Sequence, residues 1–212
     1  MARNWLPLSG ILFVVIVIFG VVVLGGDTPG SNDPGREVLS YYDAHDVREG
    51  VAAFLLAASV PFLVGFAVSL AMALWPAPGA GRPVWEIVLI AGSALTAAVI
   101  LVTAVVHFAL TDGATNDASP SALQALNLID GNTWVGFNAG FGVMMLGAAG
   151  SLIPRVRAYR WLGWVALVVG IAFFIPFADF IALLLTLVWI LVVSVMLWRS
   201  PEPTTATAPQ AT

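Results

Sequence analysis

Six long apolar stretches alternate with short polar segments along this chain, covering residues 5–26, 51–75, 85–110, 133–153, 161–175 and 180–198. At about 1.5 Å of rise per residue, a helix of roughly twenty apolar residues crosses the hydrocarbon core of a bilayer. The pattern therefore predicts an all-α fold, a polytopic membrane bundle of six transmembrane helices in one domain over residues 1–200. The last two spans come from a single apolar run, Trp161 to Trp198, that is too long for one crossing. Pro176 and Asp179 interrupt it, so it reads as two helices joined by a tight hairpin. Pro61 is expected to kink the second span, which packing by neighbouring helices tolerates.

The polar segments carry local signals of their own. Residues 27–35 are rich in Asp, Pro, Gly and Asn, the composition of turns. A short helix through Glu37–Tyr42 is expected next, carrying Tyr41 and Tyr42 to the membrane surface. Ser119-Pro120 reads as an N-cap followed by proline at the first helical position. Leu123, Leu126 and Ile129 then recur every three residues, predicting a short amphipathic helix before the fourth span. Residues 201–212, rich in Pro, Thr and Ala, are expected to form a disordered cytoplasmic tail.

Charge sets the orientation. Arg3, Arg82, Arg155, Arg157, Arg160 and Arg199 fall on one side of a six-span thread, and only Arg36 and Arg48 on the other. Excess arginine marks the cytoplasmic side, so both termini are expected inside a bacterial plasma membrane. The opposite side collects ten of the twelve acids, all but Glu86 and Glu202. Trp5, Trp75, Trp85, Trp134, Trp161 and Trp198 stand at span ends, where indoles anchor at the interface. The first stretch has a basic start, but its apolar core is longer than that of a usual cleaved signal, so it reads as a span.

Composition agrees and removes several chemistries. Sixty per cent of residues are hydrophobic and 9% charged, too few charges to coat a water-soluble protein of 212 residues. Cysteine and lysine are both absent, which excludes disulfides, thiolate metal sites, thiol nucleophiles and Schiff bases. A net charge of −4 offers no concentrated basic surface for nucleic acid.

Candidate chemistry is sparse. On the third span Glu86, Ser93, Thr96, Thr103 and His107 share an arc of about 100°, and polar side chains in a span turn away from lipid. This stripe reads either as a lining for protons or a small polar solute, or as helix-packing hydroxyls bonded to their own carbonyls, with Leu89 and Ile100 interrupting any wire. The packing reading is preferred. On the fourth span Gly136, Gly140, Gly147 and Ser151 form a small-residue seam for close helix approach, and Asn138 among them needs a partner across it. His45, Asp130 and Asp179 make a candidate outer-face cluster, which together with His107 raises the idea of a zinc site; the spacing matches no metal motif. Asp179 is read as either the N-cap of the sixth span or a partner for His107, with the N-cap preferred. No catalytic residue, cofactor or metal ligand is assigned.

Gly25-Gly26-Asp27-Thr28-Pro29, Val38, Tyr41-Tyr42 and His45-Asp46 resemble a family of small multi-spanning membrane proteins of high-GC Gram-positive bacteria, a domain of unknown function. Ala122 through Asp130, Gly140, Gly147, Arg155-Val156-Arg157 and Trp161-Leu162-Gly163-Trp164 are similar to it as well, while Asn132-Thr133-Trp134 departs from it. The resemblance implies six spans and a plasma membrane, and no activity. The leading expectation is a non-enzymatic structural or partner-binding component whose surroundings are the lipid bilayer and a membrane-protein partner or further copies of itself. The alternatives are a small-solute or proton-coupled transporter using the third span, and an outer-face metal-dependent membrane hydrolase.

Overall fold

The computed structural model describes residues 5–26, 28–77, 81–156 and 159–199. The described residues form eight α-helices in order: α1 (Ser9–Val17), α2 (Gly35–Ala44), α3 (Asp46–Leu74), α4 (Val84–Thr115), α5 (Pro120–Asp130), α6 (Trp134–Arg155), α7 (Arg160–Ala172) and α8 (Asp179–Arg199). Among the described residues there is no strand. Helix is the form that lets an apolar chain satisfy its backbone without water, because each amide bonds within its own segment. Among the described residues four stretches are long and apolar enough to cross a membrane: Asp46–Leu74, Val84–Thr115, Pro120–Pro154 and Asp179–Arg199. Leu6–Val21 and Arg160–Ala172 are apolar but shorter.

Six helices close a ring in chain order. α1 packs on α3, α3 on α4, α4 on α6, α6 on α7, α7 on α8, and α8 returns to α1. Between apolar helices in lipid the drive is close packing rather than water exclusion. Gly10 provides it on α1, where an added Cβ would overlap Phe66 of α3 and Ile190 and Ser194 of α8. Trp189 of α8 occupies the interior, edge-on to Phe66 with ring centroids 6.3 Å apart, and its Nε1–H donates to the Leu162 carbonyl of α7 at 3.0 Å. At one end of the ring the rings of Trp5 and Trp198 lie 6.3 Å apart, so the first and last described turns sit together.

The two remaining helices form a cap over the other end. Val38 and Tyr42 of α2 and Leu123 of α5 meet Val106, Leu110 and Ala114 of α4 in a second small core. α2 and α5 touch at their starts, where a Cβ on Gly35 would overlap the Pro120 carbonyl. Ser119 caps α5 by accepting from the Ala122 N–H at 3.3 Å, with Pro120 next. The lead-in loop is clamped to this cap: Asn127 Nδ2 donates to the Gly30 carbonyl at 2.8 Å, and Gln124 Nε2 to that of Asp33 at 3.3 Å.

Several helix bounds differ from those the apolar pattern predicts. α3 begins at Asp46 rather than 51 and α4 continues to Thr115 rather than 110. Polar residues extend both helices because each finds a partner: Thr111 and Thr115 hydroxyls donate to the carbonyls of His107 and Thr111, both at 3.2 Å, and Glu49 is buried beneath the cap. α4 then stops on Asp117, held at φ +57°, with the Ala118 N–H closing back to the Gly113 carbonyl at 3.0 Å. The first apolar stretch is composite: a 3₁₀ turn at Leu6–Leu8, α1, and a π-helical stretch at Ile18–Leu24 that seats Gly20 against Leu55. α3 runs through Pro61 without ending. α7 ends at Ala172, short of 175, in a turn where Phe177 stands at φ +69° and 96% exposed. The tail expected over 201–212, and Arg3, Asp27, Arg157 and Glu202 of the charge pattern, lie outside the described residues.

Candidate functional site

The polar stripe of α4 faces the glycines of α6. On α4 Glu86, Ser93, Thr96 and Thr103 are all buried. Ser93, Thr96 and Thr103 donate to the carbonyls of Ile90, Gly92 and Val99 of their own helix at 2.8, 3.0 and 3.0 Å, so these hydroxyls are satisfied locally. Across the seam a Cβ on Gly140 would come within 2.7 Å of the Thr96 backbone nitrogen, one on Gly136 within 2.6 Å of Val99, and one on Gly147 onto the backbone of Leu89. Gly92 of α4 returns the contact to Met144. Ser151 donates to the Gly147 carbonyl at 3.1 Å, also within its helix. Leu89 and Ile100 are buried in the same seam, so apolar packing separates Glu86 from His107. About 31 Å of helix lies between those two residues.

The His107 end of the stripe opens into a polar cluster. His107 Nδ1 lies 3.1 Å from Asp130 Oδ1 of α5, and its Nε2 lies 4.0 Å from Glu49 Oε2 of α3. Glu49 Oε1 accepts from the Tyr41 hydroxyl at 2.8 Å and from Arg48 Nη2 at 3.0 Å, and the same Arg48 nitrogen donates to the Tyr41 oxygen at 2.7 Å. Tyr42 stands edge-on to the imidazole with ring centroids 6.1 Å apart. Burial, and next the hydrogen bond to Glu49, pushes the Tyr41 phenol up to about 12. Burial first, with the Asp130 charge behind it, pushes the Tyr42 phenol up as well. Both tyrosines therefore stay neutral, and Tyr41 donates its hydroxyl proton to Glu49.

The residues expected to form one outer cluster take three separate partners. His45 receives its contact from its own helix, with Nδ1 2.8 Å from the Tyr41 carbonyl and its ring 4.6 Å from that of Tyr41. Asp130 pairs with His107. Asp179 opens α8, its Oδ1 accepting from the Phe180 N–H at 3.0 Å, and its Oδ2 accepts from Asn138 Nδ2 at 3.0 Å. Asn138 thus finds its partner at the start of α8, in Asp179, rather than across the seam on α4, and His107 looks to α3 and α5 instead. Among the described residues no three His, Asp or Glu side chains converge as metal ligands do.

Glu49 and Tyr42 are what pattern reading missed. Glu49 counts in the sequence as one more acid on an anionic outer face, yet it is fully buried. Tyr42, expected at the membrane surface, is buried too. One signal pointed to Glu49: it sits next to Arg48 at the edge of an apolar span, where a carboxylate needs a nearby cation. Tyr42 had no such mark, because α5 covers it from eighty residues away. Comparison with protein-family models, curated proteins and solved structures finds no match for this chain.

Proposed function

We propose that the chain is a six-span plasma-membrane protein of a bacterium, with both termini cytoplasmic, that acts without catalysis as a structural or partner-binding component. The pairing of Trp5 with Trp198 carries the even number of crossings, since the path enters and leaves the ring at one end. The two shorter apolar helices complete the ring that four longer stretches begin, and the arginine-rich segments supply the orientation. The closed α4–α6 seam favours a bundle role over a carrier role. Its hydroxyls are spent on their own helix, and Leu89 and Ile100 block the line from Glu86 to His107. The clamped α2–α5 cap is the surface offered to a partner on the outer side. Purification in several mild detergents tests this reading: a co-purifying membrane protein or a stable homo-oligomer is the expected result. A lone monomer in every detergent overturns it.

A further inference from the structure

Both ring nitrogens of His107 face carboxylate oxygens from different helices, Asp130 Oδ1 on the cap and Glu49 Oε2 on the bundle. A neutral imidazole has one N–H and one lone pair, so one of those carboxylates would meet a lone pair. An imidazolium presents a donor to each. Among the described residues neither Glu49 Oε2 nor the buried Tyr42 hydroxyl beside the ring has a hydrogen-bond partner, and His107 Nε2 stands at ion-pair distance, 4.0 Å, from that carboxylate oxygen. The groups facing His107 are Tyr42 from α2, Glu49 from α3 and Asp130 from α5, with Arg48 and Tyr41 bonded to the other oxygen of Glu49. α6 has one titratable residue, Arg155, at its opposite end. Two carboxylates and one guanidinium leave −1 around a neutral ring and zero around an imidazolium.

We propose that His107 is a proton-operated latch between the α2–α5 cap and the bundle. With its proton, His107 ties Asp130 of α5 to Glu49 of α3. When the proton passes to water, the tie to Glu49 becomes a lone pair facing a buried carboxylate, and the cap loosens from α3 and α4. α2 and α5 move together, because the Gly35–Pro120 contact and the clamps from Asn127 and Gln124 join them to each other and to the lead-in loop. The outer face is therefore closed at mildly acidic pH and opens as pH rises.

Hydrogen exchange on the full chain in nanodiscs, corrected for the pH dependence of intrinsic exchange, tests the latch. In the wild type, protection over 35–44 and 120–130 should fall about tenfold or more between about pH 5 and 8, the scale for a buried carboxylate whose ion-pair partner loses its charge. His45→Gln should keep that transition, whereas His107→Gln and Asp130→Asn should be flat. Ring ¹⁵N shifts in His45→Gln, which leaves a single imidazole, provide a readout that needs no change at the latch. They should show a doubly protonated ring wherever the cap is protected, and a neutral ring once protection is lost. Protection that does not change with pH in the wild type, a transition that survives in His107→Gln, or a ring that titrates while protection stays constant would each overturn the proposal.

Discussion

The indole rings of Trp5 and Trp198 meet at 6.3 Å and 45°, joining the first described turn of the chain to the last. Taken in chain order, the ring of helices brings its two ends together on one side. Neighbours α6 and α7 are joined by a connection of a few residues, as antiparallel helices are. The polar cluster of Glu49, His107 and Asp130 stands at the far end, under the cap. The molecule thus has two chemically different ends, one where the indoles of Trp5 and Trp198 meet and one where Glu49, His107 and Asp130 meet.

The α4–α6 seam depends on glycine at positions where no Cβ fits. Gly147→Ala should destabilise the protein by about 2 kcal/mol or more, because the methyl meets the Leu89 backbone, which cannot yield as a side-chain tip can. Gly50→Ala is the matched control. Nothing lies within 4 Å of its added Cβ, so the helix should gain about 0.5–1 kcal/mol. Thermal unfolding in one detergent compares them, and equal effects would contradict the packing account.

Asp117 carries a backbone penalty. It holds a left-handed φ of +57° to end α4, a conformation glycine adopts without strain. Asp117→Gly should raise stability by about 0.5–1 kcal/mol. A loss of stability in the same unfolding measurement would mean that the side chain matters more than the backbone at this turn.

Tyr41 links the cap to the buried Glu49 carboxylate. Tyr41→Phe should cost about 2 kcal/mol, the scale for a hydrogen bond to a charged group. The phenol ionises at about 12 in the fold against 10.0 when free. Below pH 10 both folded and unfolded chains keep the proton, and the full contribution is present. Between about 10 and 12 the unfolded chain loses its proton first, so stability falls as pH rises. The difference in phenolate absorbance between wild type and Tyr41→Phe should have its midpoint near 12; a midpoint near 10 would contradict the buried hydrogen bond.

Much of the bundle was legible because lipid-facing helices announce themselves by length and hydropathy alone. The amphipathic α5 and its Ser119-Pro120 start were legible for the same local reasons. The hydroxyl stripe and the glycine seam were visible separately, but only packing shows that they close on each other. The polar cluster was not legible, since Glu49, His107 and Asp130 come from three distant segments and have no spacing rule. Asp179 could be read locally as a helix start, whereas its bond to Asn138 is a tertiary fact.

The most direct test of the central claim is impermeant maleimide labelling of intact cells, using single cysteines placed in this cysteine-free chain. The six-span account predicts that Asn32→Cys and Ser121→Cys react from outside, while Arg82→Cys reacts only after the membrane is opened. Labelling of Arg82→Cys on sealed cells, or protection of both Asn32→Cys and Ser121→Cys until lysis, would contradict it.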